Sequence, residues 1–190
     1  KLLGIARRNP EGIELRVHPA LIPERRLIAN VDGVMNAVVV KGDAVGPTLF
    51  YGAGAGAEPT ASSVVADLVD VTRALTSDPE NRVPHLAFQP SAIADIPVLP
   101  LEDITSAYYL RLLAEDKPGV LADVTRILAD QNISIEAIMQ KESQAGETCL
   151  PIILLTQRVR EKDMNTAIRH IESLAALHGS IKRIRVETLG

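Results

Sequence analysis

Ala107-Tyr-Tyr-Leu-Arg-Leu-Leu-Ala-Glu-Asp-Lys-Pro-Gly-Val-Leu-Ala-Asp-Val-Thr-Arg-Ile-Leu128 is the stretch that decides the fold. Its first part alternates apolar residues in the period-two rhythm of a half-buried strand. The rhythm stops at Asp116-Lys117-Pro118-Gly119. Beyond it Val120, Leu121, Val124, Ile127 and Leu128 fall on one helical stripe. A short polar turn between strand and helix leaves backbone N–H groups free at the helix start, where a carboxylate can be held.

Working outward, Ile133–Lys141 reads as a second strand with Ile133, Ile135, Ala137 and Met139 on one face. A polar turn at 142–146 precedes a third strand through Thr156, where Pro151 predicts a bulge because it cannot donate to a ladder. A helix near 161–176, burying Met164, Ala167, Ile168, Ile171 and Leu174, and a strand Ile181–Val186 complete the order βαββαβ. That order packs two helices on one face of a four-stranded sheet. It resembles an ACT domain, a small module that senses free amino acids.

Toward the N-terminus, Leu2–Arg8 and Gly12–Leu21 read as strands around the turn Asn9-Pro10-Glu11-Gly12. Ile28–Met35 is a short helix or an irregular connection. Asn36–Lys41 and Pro47–Tyr51 are strands joined by Gly42–Gly46, and a helix follows from Thr60 with Val64, Val65, Leu68, Thr72 and Leu75 on one face. Pro59 suits its first turn. Five prolines (79, 84, 90, 97, 100) make 76–105 a semi-extended connector. The expected organisation is α+β: a mixed-sheet segment at 1–78, a proline-rich linker at 79–105, and the βαββαβ unit at 106–190.

The chain has 190 residues, 46% of them hydrophobic and 23% charged. Residues 1–105 carry 9 Lys/Arg against 13 Asp/Glu, and residues 106–190 carry 11 of each. Neither half has the basic excess or interleaved aromatics of a nucleic-acid surface. No apolar run reaches the roughly 18 residues of a membrane span. The single cysteine, Cys149, lies in an apolar strand and reads as a small buried hydrophobe in a reducing, cytoplasmic compartment. His18, His85, His170 and His178 lack metal-ligand spacing, so no metal is expected. The first residue is Lys1, which suggests an excised piece of something longer.

Gly52-Ala-Gly54-Ala-Gly56-Ala57 satisfies the letter of a dinucleotide fingerprint. Its context does not, because the following helix runs into the linker with no second parallel strand or acidic strand tip. A tight turn of small residues, or a turn that lets backbone approach a cofactor held mainly by another domain, are the remaining readings.

The run Asn30-Val-Asp-Gly-Val-Met-Asn-Ala-Val38, and the longer one from Gly42 through the glycine turn to Leu68, resembles the C-terminal part of homoserine dehydrogenases. Members of that family interconvert aspartate semialdehyde and L-homoserine with NADP or NAD. The resemblance implies that the catalytic lysine and acidic substrate residues lie upstream of the segment matching Lys1, so this piece alone is expected not to transfer hydride. It implies that Gly56 neighbours the cofactor, with Gly54 and Gly52 shaping the same turn. For the ACT half it implies an effector site at Asp116, Gly119 and Ser134. Asp116 stands where related domains have asparagine; it either receives the effector's ammonium or only caps the helix. The implied effector is an amino acid, threonine first, bound between paired copies in a homodimer or higher homo-oligomer. Threonine and methionine biosynthesis are the implied pathways. The alternative is a non-catalytic amino-acid-sensing or oligomerisation module.

Overall fold

A computed structural model describes residues 1–77, 87–140 and 148–189. The expectations for prolines 79 and 84, His85, Lys141 and the turn at 142–146 lie outside these residues. In chain order the elements are β1 (Leu2–Asn9), β2 (Gly12–Leu21), β3 (Met35–Gly42), β4 (Gly46–Ala53), α1 (Ala57–Thr76), β5 (Thr105–Glu115), α2 (Val120–Asp130), β6 (Ile135–Gln140), β7 (Cys149–Thr156), β8 (Val159–Arg160), α3 (Glu161–Glu172) and β9 (Lys182–Val186). Short 3-10 turns occupy Leu27–Asn30, Pro90–Ala92 and Leu101–Asp103. The first of these resolves the ambiguous 28–35 stretch as one 3-10 turn followed by irregular chain.

Two compact units result: Lys1–Pro23 with Ile96–Gly190, and Glu24–Asp95. In the first, the sheet runs β1-β2-β9-β5-β7-β6, with the two-residue β8 paired to β5. Strands β9-β5-β7-β6 and helices α2 and α3 are the βαββαβ layer. Its core is one cluster that includes Tyr108, Leu110, Leu112, Val124, Leu128, Leu154, Met164, Ala167 and Ile171, all essentially inaccessible to water. Full burial of such a leucine or isoleucine stabilises by about 1.5–3 kcal/mol, which fixes α2 and α3 on one face of the sheet.

The N-terminal hairpin extends this same sheet. β1 and β2 pair antiparallel through eight register positions, Leu2↔Pro19 to Asn9↔Gly12, and β2 joins β9 in parallel at Ala20↔Arg185 and Leu21↔Val186. By contact, therefore, residues 1–23 sit with the βαββαβ layer. The linker contributes too: Val98 bridges Ile13, with the Ile13 amide donating to the Pro97 carbonyl at 2.8 Å and Leu99 to Ile13 at 2.9 Å. A Cβ on Gly12 would collide with the Pro97 carbonyl, so this close approach requires glycine.

Among the described residues Pro151 causes no bulge in the β5–β7 pairing. It stands opposite Leu113 in an unbroken β5–β7 register, and the one register shift lies instead in β6, between Ile135 and Ala137. An antiparallel strand donates to each neighbour only at alternate residues, and the last described β6 pair is Gln140↔Ile152. The β6 shift also breaks the expected alternation: Ile135 is half-buried, whereas Ala137, Ile138 and Met139 are exposed.

In the second unit β3 and β4 form an antiparallel hairpin, Met35↔Ala53 to Gly42↔Gly46, followed by the 20-residue α1. The helical period read from Val64, Val65, Leu68 and Leu75 holds, but none of these side chains is buried.

Candidate functional site

The turn between β5 and α2 opens a cleft of about 350 Å³ lined by Glu115, Asp116, Lys117, Pro118, Gly119, Val120, Leu121, Gln140 and Ile152. Gly119 is the residue before the helix and has φ +95°, a left-handed conformation that strains any other side chain. The Val120 amide donates to the Lys117 carbonyl at 3.5 Å, and Gly119 brings no side-chain cap, which leaves the next amides of the first turn of α2 to face an anion. Asp116 is exposed on the cleft wall, and its backbone amide donates to the Thr148 carbonyl at 3.1 Å. Gly119, not Asp116, stands at the N-cap position of α2.

Three polar side chains lie beside it. Glu115 accepts from Lys117 Nζ at 2.6 Å and faces His178 Nε2 at 3.4 Å. The Lys117 bond, then the His178 contact, hold the Glu115 carboxyl below its ordinary range, and the same bond raises Lys117. Lys117 is therefore committed to Glu115, leaving Asp116 as the anionic group facing the cleft. Leu121 and Ile152 make an apolar wall, and Gln140 brings an amide.

Ser134 is not among the lining residues. It is exposed just ahead of β6, and its carbonyl accepts from the Gln157 amide at 2.9 Å. Of the three effector residues expected from sequence, the cleft brings together Asp116 and Gly119. Sequence reading did not single out Glu115, Lys117 or Gln140; the Glu-Asp-Lys run was visible, but the arrival of Gln140 from β6 was not.

The glycine turn lies in the other unit, between β4 and α1. Each glycine answers to a different cause. Gly56 precedes α1 with φ +127° and ψ 155°, a backbone that only glycine adopts easily. A Cβ on Gly54 would collide with the Asn36 side chain. Gly52 faces open space, with nothing within 4 Å of a Cβ built on it. β4 has only β3 as a neighbour, antiparallel, so among the described residues this is not a βαβ nucleotide-binding opening. The bare backbone at Gly52 and the uncapped start of α1 fit close approach by a flat ring or a phosphate. No charged side chain among the turn residues 52–57 would hold a nucleotide unaided.

A larger, more open cleft of about 590 Å³ lies against α3, lined among others by Lys162, Asp163, Arg169 and Arg183. Its charges are mixed. Behind it Glu161 is buried, accepting from the Tyr108 hydroxyl at 2.5 Å and from Arg185 at 2.7 and 3.1 Å. Burial, then the bond to Glu161, drives the Tyr108 hydroxyl well above the normal phenol range. This cluster anchors the start of α3 to the sheet. Among the described residues no group of His, Cys, Asp and Glu could hold a metal ion, and no helix is long and apolar enough to cross a membrane.

A homoserine dehydrogenase family model matches residues 1–69 and an ACT domain model matches residues 108–176. The chain thus joins a segment similar to homoserine dehydrogenases to one similar to ACT domains. Over its full length it is 65% identical to a homoserine dehydrogenase of Pseudomonas aeruginosa and 53% identical to one of Neisseria gonorrhoeae. It spans 44% and 43% of those proteins, less than half of each. A solved homoserine dehydrogenase from Thiobacillus denitrificans is 68% identical, with TM-score 0.90 over 100% of this chain and 42% of that one. A homoserine dehydrogenase from S. aureus, 22% identical with TM-score 0.54, shares the fold. These matches run through both segments, which disfavours a free-standing sensor. They also show the two boundaries differing in kind: β1 and β2 belong by sequence to the homoserine dehydrogenase segment and by hydrogen bonding to the ACT sheet.

Proposed function

We propose that this chain works as the C-terminal, regulatory part of a homoserine dehydrogenase, the NAD(P)-dependent enzyme that interconverts aspartate semialdehyde and L-homoserine on the way to threonine and methionine. The observation that carries the regulatory part is the β5–α2 cleft: an uncapped helix start, an exposed carboxylate and an apolar wall within one recess. A free amino acid fits it by placing its carboxylate on the first amides of α2, its ammonium on Asp116 and its side chain against Leu121 and Ile152. Threonine is the first candidate. Ser134, outside the cleft of its own copy and beside the exposed edge strand β6, is assigned to the facing side of a paired site in a dimer.

In the whole enzyme NADP or NAD would supply the hydride acceptor or donor. The Gly52–Gly56 turn contributes bare backbone beside it, Gly56 foremost, and the conformation of Gly56 sets the start of α1. Effector binding biases the ACT sheet, and through it the hairpin β1–β2. A coupling of about 1–3 kcal/mol is enough for regulation. The setting is the cytoplasm.

Calorimetry of this chain with L-threonine tests the reading, using Asp116→Ala beside it. Saturable binding is expected, weakened about tenfold by loss of one charge-assisted contact. Affinity unchanged in Asp116→Ala removes that residue from the site, and no heat with any proteinogenic amino acid overturns the sensing function. A hydride-transfer assay with homoserine and NADP is expected to show no turnover by this chain alone.

A further inference from the structure

Three of the described residues lining the β5–α2 cleft carry charge: Glu115, Asp116 and Lys117. Lys117 is the one cation among them, and Glu115 occupies it. The lysine Nζ lies 2.6 Å from Glu115 Oε2, and the Lys117 amide donates to the Glu115 carbonyl at 2.9 Å, so the turn itself brings the lysine back to the glutamate. Glu115 is held in its turn. Its amide donates to the Ala176 carbonyl at 2.9 Å, and its other carboxylate oxygen faces His178 Nε2 at 3.4 Å. The His178 amide is anchored as well, donating to the Leu113 carbonyl at 2.9 Å. Glu115 is the more enclosed partner, 27% exposed against 67% for Lys117.

An exposed ion pair of this kind adds little to stability. Its effect is on the charge that the cleft offers a ligand. The Lys117 hydrogen bond lowers the Glu115 carboxyl and raises the Lys117 ammonium, so the pair stays ionised at neutral pH. The two charges cancel, and the Asp116 carboxylate is left as the net charge among the described lining residues. A bound amino acid places its α-carboxylate on the amides at the start of α2 and its ammonium on Asp116. Its side chain then meets Leu121, Ile152 and the Gln140 amide. A second carboxylate brought there meets like charge on Asp116 and Glu115 and has no free cation to pair with. Like-charge juxtaposition inside a recess is a means of refusing a ligand whose shape would fit.

Resting on the amino-acid reading of this cleft, we infer that Glu115 is a specificity-determining residue: by occupying Lys117 it closes the cleft to amino acids with acidic side chains. The ligand class is then a zwitterion without a second carboxylate. Glu115 touches no part of that ligand; it acts through the cation it withholds.

Calorimetry with L-threonine and L-aspartate on the 190-residue chain tests this. Both ligands carry the same α-ammonium and α-carboxylate, so the ratio of their affinities isolates the side chain. Aspartate is expected to bind about tenfold more weakly, the effect of one uncompensated like charge a few ångströms away. Glu115→Gln keeps the side-chain shape and leaves the Lys117 charge uncompensated. It should cut the preference for threonine by about tenfold, and adding Lys117→Met should restore that preference. A variant that merely loosened the turn would weaken both ligands alike and leave the ratio where it was. Should threonine give no heat, the tightest-binding neutral amino acid takes its place in the ratio. Three results overturn the inference and leave the sensing function standing: aspartate binding the natural chain as tightly as the neutral ligand, no gain in relative aspartate affinity in Glu115→Gln, or a gain that survives Lys117→Met. Binding of no proteinogenic amino acid overturns both.

Discussion

Replacing Glu161 by glutamine asks how much of the ACT unit hangs on a single buried charge. The carboxylate is 3% exposed and receives the Tyr108 hydroxyl, two nitrogens of Arg185 and one of Arg183, the last at 3.2 Å. Glutamine keeps the shape but offers one acceptor in place of two and turns an N–H toward groups that also donate. Removing one partner of a fully buried pair costs about 3–5 kcal/mol. Here Arg185 is 14% and Arg183 30% exposed, so both cations keep some water. A loss of about 2–3 kcal/mol is expected. Urea unfolding followed by far-UV circular dichroism measures it without screening the ions. The pH dependence sharpens the test. Burial works against the Glu161 charge, but the Tyr108 and Arg185 hydrogen bonds outweigh it and hold the carboxyl below its ordinary value. The unfolded chain therefore binds this proton more readily. The stabilisation is complete above the unfolded carboxyl's pKa and disappears as pH falls through the folded one. The gap between the natural chain and Glu161→Gln should be widest near neutrality and close in acid. A gap below about 0.5 kcal/mol at neutral pH, the level of an ordinary surface substitution, or one that widens on acidification, would refute the reasoning.

Other outcomes follow from the same geometry. Gly56→Ala should destabilise the β4–α1 turn by about 1–3 kcal/mol because its φ of +127° suits only glycine. Gly54→Ala should also destabilise by displacing Asn36, whereas Gly52→Ala should leave the thermal midpoint unchanged. Melting curves on the three variants would show the order, and equal effects would contradict it. Leu128→Ala removes a side chain with no exposure from the centre of the ACT core and should cost about 2–5 kcal/mol in urea unfolding.

Local periodicity made most elements legible. The 107–128 stretch announced β5, its turn and α2, and the Met164, Ala167, Ile171 spacing announced α3. What a period cannot say is which partner covers a face. α1 follows its stripe of valines and leucines and buries none of them. β2 reads as an ordinary half-buried strand, yet the side it buries is Glu14, Arg16 and His18. The complement of Arg16 is Glu187, 171 positions away, and no local pattern signals a partner at that distance. Pro151 misled for a related reason: whether a missing donor matters depends on which neighbour that residue faces. At the cleft, Asp116 and Gly119 were readable because both sit in one turn, while Gln140 comes from another strand. The glycine run was conspicuous, but the separate reasons for Gly52, Gly54 and Gly56 needed coordinates.

The shared sheet has a practical corollary for anyone transplanting this ACT domain. A graft that starts at β5, where the family boundary invites a cut, would strip Glu187 of the Arg16 guanidinium and lay bare the flank of β9 that β2 now occupies. An open strand flank recruits whatever strand is near, including its counterpart on another molecule. The transferable cassette therefore comprises two pieces of chain, Lys1–Pro23 together with Ile96 onward, and a chimera that omits the first should self-associate.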